Sequence, residues 1–266
     1  MANPDKSKSS ARFLDRPDGE TIAYHFSGPK SRVQNSPCGV IFLGGLMSDM
    51  TGTKATALES HYAKTNRPFV RFDYLGHGQS SGKFVDGTIG RWCDDTLAVL
   101  DEVIKGPLIL VGSSMGGWIS LLATLARPER VAGLVCIAPA PDFTEELLWP
   151  ELDEAAQHDL ETTGVYHQPS DYSDEPYVIS MNLIEEGRHH LLLENPIPIT
   201  CPVRILQGME DPDVPWRHAL RLIDKLESPD VVLSLVKEGD HRLSEPKDLM
   251  RLTDAIDALA NWADGI

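Results

Sequence analysis

Gly112-Ser113-Ser114-Met115-Gly116 sets a serine between two glycines. The apolar run Leu108–Val111 precedes it. A helical pattern through Trp118, Leu121, Leu122 and Leu125 follows, closed by Pro128. A strand turning this sharply into a helix strains the serine backbone and exposes its hydroxyl, and only small residues fit two positions away on either side. The helix N-terminus then lies beneath any oxyanion formed there. Such a serine is a candidate nucleophile for acyl transfer, provided a base takes its proton and an acid orients the base.

Where a serine elbow of this kind occurs, the partners follow in the order serine, acid, histidine. His241 stands in Glu238-Gly239-Asp240-His241, just past the apolar run Val231–Val236, where a loop can carry an imidazole over a sheet edge. His218 lies inside a helical pattern and is expected at the surface. Three carboxylates, Glu210, Asp211 and Asp213, follow the run Val203–Leu206. Gly208 makes the turn, Val214-Pro215 opens a helix and Asp213 reads as its N-cap, which leaves Asp211 as the orienting acid. A second solution places the acid after the sixth strand, at Asp142.

The developing oxyanion needs backbone donors already in place. The amide of Met115, after the nucleophile, is one candidate. The amide of Leu46, in Gly44-Gly45-Leu46 after the run Gly39–Leu43, is the other. In Asp73-Tyr74-Leu75-Gly76-His77-Gly78-Gln79-Ser80 the glycine spacing indicates a structural turn held by Asp73 rather than catalysis. His189-His190 is not read as a metal site, because adjacent helical side chains diverge and no further ligands join them. No glycine-rich dinucleotide or P-loop motif occurs, so no cofactor is implied.

The elements that must position these residues follow from periodicity. Arg12–Leu14 and Thr21–Phe26 flank the turn Pro17-Asp18-Gly19 and read as an antiparallel hairpin. The later runs Gly39–Leu43, Phe69–Phe72, Leu108–Val111, Val131–Ile137, Val203–Leu206 and Val231–Val236 are predominantly apolar, as in a buried, mostly parallel sheet. Between them lie helical stripes, such as Ile89, Trp92, Thr96, Leu100, Val103 and Ile104, or Leu249, Leu252, Ile256 and Leu259. The class is α/β, with eight strands, helices on both faces and a core formed by residues 1–141 and 199–266. Residues 142–198 show no β-like run. They carry an acidic helical patch from Glu151 to Glu161, a Gly/Pro/Tyr/Ser segment around Gly164–Ser173 and a second helix candidate, Tyr177–Glu186. An insertion this long reads as a small helical cap. It holds Phe143, Leu147, Leu148, Trp149, Leu152, Tyr177, Ile179, Met181, Leu183 and Ile184, more apolar surface than a solvated lid needs. Either all of it packs the cap onto the body, or part of it lines an entrance and the acyl pocket is hydrophobic.

A net charge of −16 repels phosphate backbones, so nucleic acid is an unexpected partner. Cys38, Cys93, Cys136 and Cys201 form no CxxC pair, which indicates reduced thiols in a cytosol-like compartment. Residues 1–10 are polar with a few lysines and lack the apolar core of a secretory signal. The sequence reading therefore expects a cytoplasmic protein.

Gly44-Gly45, the Asp73–Ser80 turn, the Ser114 elbow, the Asp211 loop and His241 together resemble the α/β-hydrolase superfamily along nearly the whole chain. Thr51–Ala55, Gly112–Trp118, Ala126–Glu129, Gly208–Trp216 and Asp240–Arg242 resemble its mitochondrial abhydrolase-domain thioesterases and acyl-glucuronide esterases. The resemblance implies hydrolysis of a small-molecule acyl ester or thioester, or of an S-acylated protein, with the roles falling on Ser114, Asp211 and His241. Dehalogenases and many epoxide hydrolases place aspartate at the elbow and are disfavoured. Carbon–carbon hydrolases and cofactor-free haloperoxidases or perhydrolases keep the serine and stay open as alternatives. A non-catalytic binding protein would lack a triad member.

Overall fold

Apolar residues alternate between two environments along the central strands, and that alternation builds a sheet covered on both faces. The computed structural model describes residues 10–28, 37–65, 67–168 and 177–265. The strands, in chain order, are β1 (Arg12–Asp15), β2 (Thr21–Ser27), β3 (Gly39–Leu43), β4 (Phe69–Phe72), β5 (Leu108–Ser113) and β6 (Val131–Ile137), then β7 (Val165–Gln168), β8 (Tyr177–Ser180), β9 (Val203–Gly208) and β10 (Val231–Val236). The helices are α1 (Thr53–Thr65), α2 (Ile89–Ala98), α3 (Met115–Ala126), α4 (Glu154–Thr163), α5 (Met181–Gly187), α6 (Trp216–Lys225) and α7 (Pro246–Asp264).

Eight strands form one sheet in the order β1-β2-β4-β3-β5-β6-β9-β10. The pairs from β4 through to β10 are parallel, and β1 and β2 join antiparallel. Ile41 and Leu43 face a core shared with Trp92 of α2, Trp118 of α3 and Leu222 of α6. Val40 and Phe42 face the other core, with Leu58 of α1 and Leu252, Ile256 and Leu259 of α7. β3, β4 and β5 are buried along their whole length, the burial expected of parallel strands sandwiched between helices. From β3 the chain crosses to β4 on one side and later to β5 on the other. The sheet therefore has a topological switch point between β3 and β5, where a crevice opens beyond the C-terminal strand ends.

Residues 142–198 differ from the purely helical segment expected. They contain an antiparallel hairpin, β7 with β8, which pairs Val165 with Ser180 and Tyr166 with Ile179. The helix expected over Tyr177–Glu186 starts only at Met181, because the Ser180 side chain accepts from Leu183 N–H and caps it there. Val178 and Ile179 are β-branched, which suits the strand before the cap. Asp153 likewise caps α4 through Ala156 N–H. The readings of residues 1–9 and of residues 169–173 lie outside the described residues. Among the described residues no helix is long and apolar enough to cross a membrane.

Candidate active site

Ser114 ends the turn from β5 into α3 at φ 56°, ψ −118°, a conformation that side chains rarely adopt. The surroundings enforce it. A Cβ on Gly112 would lie 2.2 Å from the Gly116 carbonyl, and one on Gly116 would lie 2.3 Å from that of Leu43. Those approaches are why the flanking positions are glycine. Ser114 N–H donates to the Ile137 carbonyl at 2.9 Å, which ties the elbow to β6.

The loop after β10 crosses the end of β9 at close range. A Cβ on Gly208 would meet the Gly239 carbonyl at 2.3 Å. Glu210 N–H donates to that same carbonyl at 3.0 Å, so the two loops are clamped together. His241 Nε2 lies 3.1 Å from Ser114 Oγ, and its Nδ1 lies 2.8 Å from Asp211 Oδ2. The His241 side chain is 16% exposed and that of Asp211 is fully buried, which shields the pair from water. Asp211 Oδ1 accepts from the amides of Asp213 (2.9 Å) and Val214 (2.8 Å). Its Oδ2 also accepts from Gln207 Nε2 at 3.0 Å. Gln207, buried at the end of β9, was missed by sequence reasoning. A lone amide side chain at the end of the run Val203–Gly208 was its only signal.

Asp142 sits elsewhere. Its carboxylate accepts from Leu192 and Leu193 N–H at 2.7–3.0 Å. It anchors the chain that returns from the insertion and does not meet His241. Burial raises its pKa, with the Leu193 and Leu192 amides opposing. Two local expectations are corrected. His218 is buried rather than at the surface, because its Nε2 lies 2.7 Å from the Pro141 carbonyl, and burial lowers its pKa. Asp213 is not a helix cap, since α6 begins at Trp216 with Pro215 at its cap. His190 pairs with Glu186 at 2.6 Å.

The Leu46 and Met115 amides meet no acceptor among the described residues. A Cβ on Gly45 would lie 3.4 Å from Ser114 Cβ, so the loop after β3 passes directly beside the serine. The Asp73 turn supports that loop: Asp73 Oδ1 accepts from Met50 N–H at 2.6 Å and Oδ2 from Gln79 N–H at 2.8 Å. Arg71 donates to the Met50 carbonyl at 2.6 Å. The ligand-type atoms of Asp211, Asp213 and His241 lie within 4.8 Å of one another. Two of these residues are the hydrogen-bonded pair itself, and Asp211 already accepts from four donors, an arrangement that suits a proton relay better than a cation.

A doubly wound sheet with a serine elbow at its switch point is the architecture of the α/β-hydrolases, and the protein is a serine hydrolase of that fold. Residues 39–182 match the family described as serine aminopeptidase, S33, and the chain belongs to this family of the α/β-hydrolase superfamily. It is 42% identical over 255 residues to the mouse (Mus musculus) mitochondrial palmitoyl-protein thioesterase ABHD10, covering 96% of this chain and 84% of that one. It is similar to a hydrolase from Agrobacterium vitis S4, with a TM-score of 0.88 and 45% identity over 94% of this chain and 97% of the other. The structure of mouse α/β-hydrolase domain-containing protein 10 superposes with a TM-score of 0.84 and 41% identity, over 96% and 100% of the chains. These relatives correct the expected cytoplasmic placement, because the curated ABHD10 proteins, 40–42% identical to this chain, are named mitochondrial. Unpaired thiols fit any reducing compartment, so cysteine usage did not single out the cytosol.

Proposed function

We propose that Ser114 is the nucleophile, His241 its base, Asp211 the residue that orients the base, and that the Leu46 and Met115 amides receive the oxyanion. The observation that carries this reading is the continuous relay from Ser114 Oγ through His241 to Asp211. The Ser114 oxygen attacks the acyl carbon while its proton passes to His241 Nε2. The tetrahedral intermediate collapses as the carbon–oxygen or carbon–sulfur bond breaks, and His241 returns the proton to the leaving group. Water, activated by the same imidazole, then frees the acid and restores the serine.

The substrate is an acyl ester or thioester with a hydrophobic acyl group, and an S-acylated protein is the reading that the thioesterase relatives support. Residues 142–198 act as the lid of a core made of residues 1–141 and 199–266. Part of the insertion's apolar surface packs onto the body, through Phe143, Leu183 and Leu193. Leu152, Leu160, Ile179 and Ile184 form a separate cluster. Half-buried Leu148, Trp149 and Met181 pack on that cluster together with Leu46, the residue beside the serine loop. That continuity favours an acyl chain running from Ser114 beneath the lid.

A fluorophosphonate should label Ser114 in the wild type and leave Ser114→Ala unlabelled. Each buried methylene contributes about 0.8 kcal/mol. Hence kcat/KM on p-nitrophenyl esters and matching thioesters should climb several-fold per two carbons from acetyl to octanoyl. Cleavage of acetyl esters with no turnover of hexanoyl or octanoyl esters would refute the hydrophobic lid.

A further inference from the structure

We propose that His77 is a positioning residue for the oxyanion hole: its imidazole fixes the Met47 amide and thereby the turn that aims the Leu46 N–H. The proposal rests on the reading of Leu46 as an oxyanion donor.

Gly45, Leu46, Met47 and Ser48 form a four-residue turn closed by Ser48 N–H donating to the Gly45 carbonyl at 3.1 Å. In a trans peptide the N–H and C=O point opposite ways. Holding the Gly45 carbonyl against Ser48 therefore sends the Leu46 N–H out of the turn. The third residue, Met47, has φ 53°. Positive φ at that position is the type II geometry, in which glycine is ordinary and a side chain is strained. An unsupported methionine there would relax by rotating the Leu46–Met47 peptide, and the Leu46 backbone would rotate with it.

His77 opposes that rotation. Met47 N–H donates to His77 Nε2 at 3.2 Å. Nδ1 of the same ring lies 3.1 Å from the Leu75 carbonyl and must donate to it, which leaves the lone pair on Nε2. The ring cannot tilt away. It is 4% exposed and meets Tyr74, Trp92 and Phe84 edge-on, with centroids 5.5, 5.2 and 5.1 Å away. Burial also pushes the imidazole down to about 4, so Nε2 keeps its lone pair at any working pH, although the Leu75 hydrogen bond and Asp49 pull the other way. Asp73 and Arg71 hold the far end of the loop at Met50, whereas His77 holds it next to Leu46.

Three variants test the idea. His77→Phe keeps a ring and removes the acceptor. His77→Gln can put a carbonyl oxygen where Nε2 stands, and His77→Asn can reach only the Nδ1 position. A misplaced donor of this kind lowers turnover by about 100-fold. The expected result is that kcat on p-nitrophenyl butyrate drops by that factor in His77→Phe and His77→Asn, with KM little changed. Affinity for a trifluoromethyl ketone, whose adduct on Ser114 carries the oxyanion, should fall by the same factor, and His77→Gln should recover most of both. If His77→Phe does not fold, as judged by near-ultraviolet circular dichroism, the Gln and Asn pair carries the comparison. Ketone affinity unchanged in a folded acceptor-less variant, with Ser114 still labelled by fluorophosphonate, would overturn the positioning role alone. No labelling of Ser114 in the wild type would overturn the reading beneath it.

Discussion

Replacing Asp211 by asparagine changes one atom, and the surrounding donors dictate where that atom must go. Oδ1 faces the amides of Asp213 and Val214, so the asparagine oxygen has to stay there. The new NH2 is forced into the Oδ2 position, 2.8 Å from His241 Nδ1. Gln207 cannot flip to relieve the clash, because its Nε2 also donates to the Val214 carbonyl at 3.0 Å and the Gly208 carbonyl at 3.2 Å. His241 must then accept at Nδ1 and carry its proton on Nε2, facing Ser114. A protonated Nε2 cannot take the serine proton. Locking the wrong tautomer lowers turnover by about 10⁴-fold, or about 5 kcal/mol of barrier. Single-turnover acylation by a p-nitrophenyl ester reads the step directly, with near-ultraviolet circular dichroism to verify the fold. Asp142→Asn is the control. It forfeits a backbone hydrogen bond at the base of the insertion, a loss of about 1–3 kcal/mol in stability, and should leave acylation nearly intact. Asp211→Asn acylating within tenfold of wild type, or Asp142→Asn falling as far, would refute the reasoning.

Three further outcomes follow from the same geometry. Ser114→Gly and Ser114→Ala should both be inactive, but the glycine variant should be more stable by about 1 kcal/mol, since only glycine is relaxed at positive φ; calorimetry giving an alanine variant of equal or higher Tm would contradict the strain. Gly116→Ala should cost at least ~2 kcal/mol and most of the activity, because its Cβ would meet the Leu43 and Gly44 carbonyls at 2.3 and 2.5 Å with only backbone to yield; a denaturant midpoint matching wild type would count against the close approach. The Glu186–His190 pair ties α5 to the Gly90 amide at the start of α2. The Glu186 hydrogen bond raises the pKa of His190 against burial, so that part of the stability is present below 6.5 and fades as pH rises through the elevated value. Burial would raise Glu186, but hydrogen bonds from His190 and Gly90 hold it below 4.5, so its part is present above 4.5 and lost as pH falls through the depressed value. Protection factors in α5, corrected for the intrinsic pH dependence of amide exchange, should therefore be highest between about 4.5 and 6.5 and lower at pH 8, and Glu186→Gln should abolish the difference; protection factors independent of pH in the wild type would remove the latch.

Some of this molecule is written in short stretches of sequence. A glycine two residues either side of Ser114 signals a turn too tight for any side chain, and the apolar run before it signals a buried strand. Both are constraints on a few neighbouring residues, so a local pattern carries them. The parallel sheet was legible for the same reason, since its strands are apolar on both faces and punctuated by helical stripes. The hairpin of β7 and β8 was not, because Tyr177–Ser180 is short and its β character depends on pairing with Val165–Gln168. His218 was misread because a helical stripe reveals which residues share a face but not that the Pro141 carbonyl waits opposite, 77 residues earlier.

The sequence by itself determined the elbow, the order of serine, carboxylate and histidine, and the fold class. Each depends on backbone sterics or on periodicity that neighbouring residues express. Only the tertiary structure decided which carboxylate meets His241, across 30 residues, and how His241 meets Ser114, across 127. It also decided that His77 holds Met47 and that Gln207 holds Asp211. These are hydrogen bonds between segments brought together at the strand ends, and their geometry exists only once the sheet has set where each loop begins.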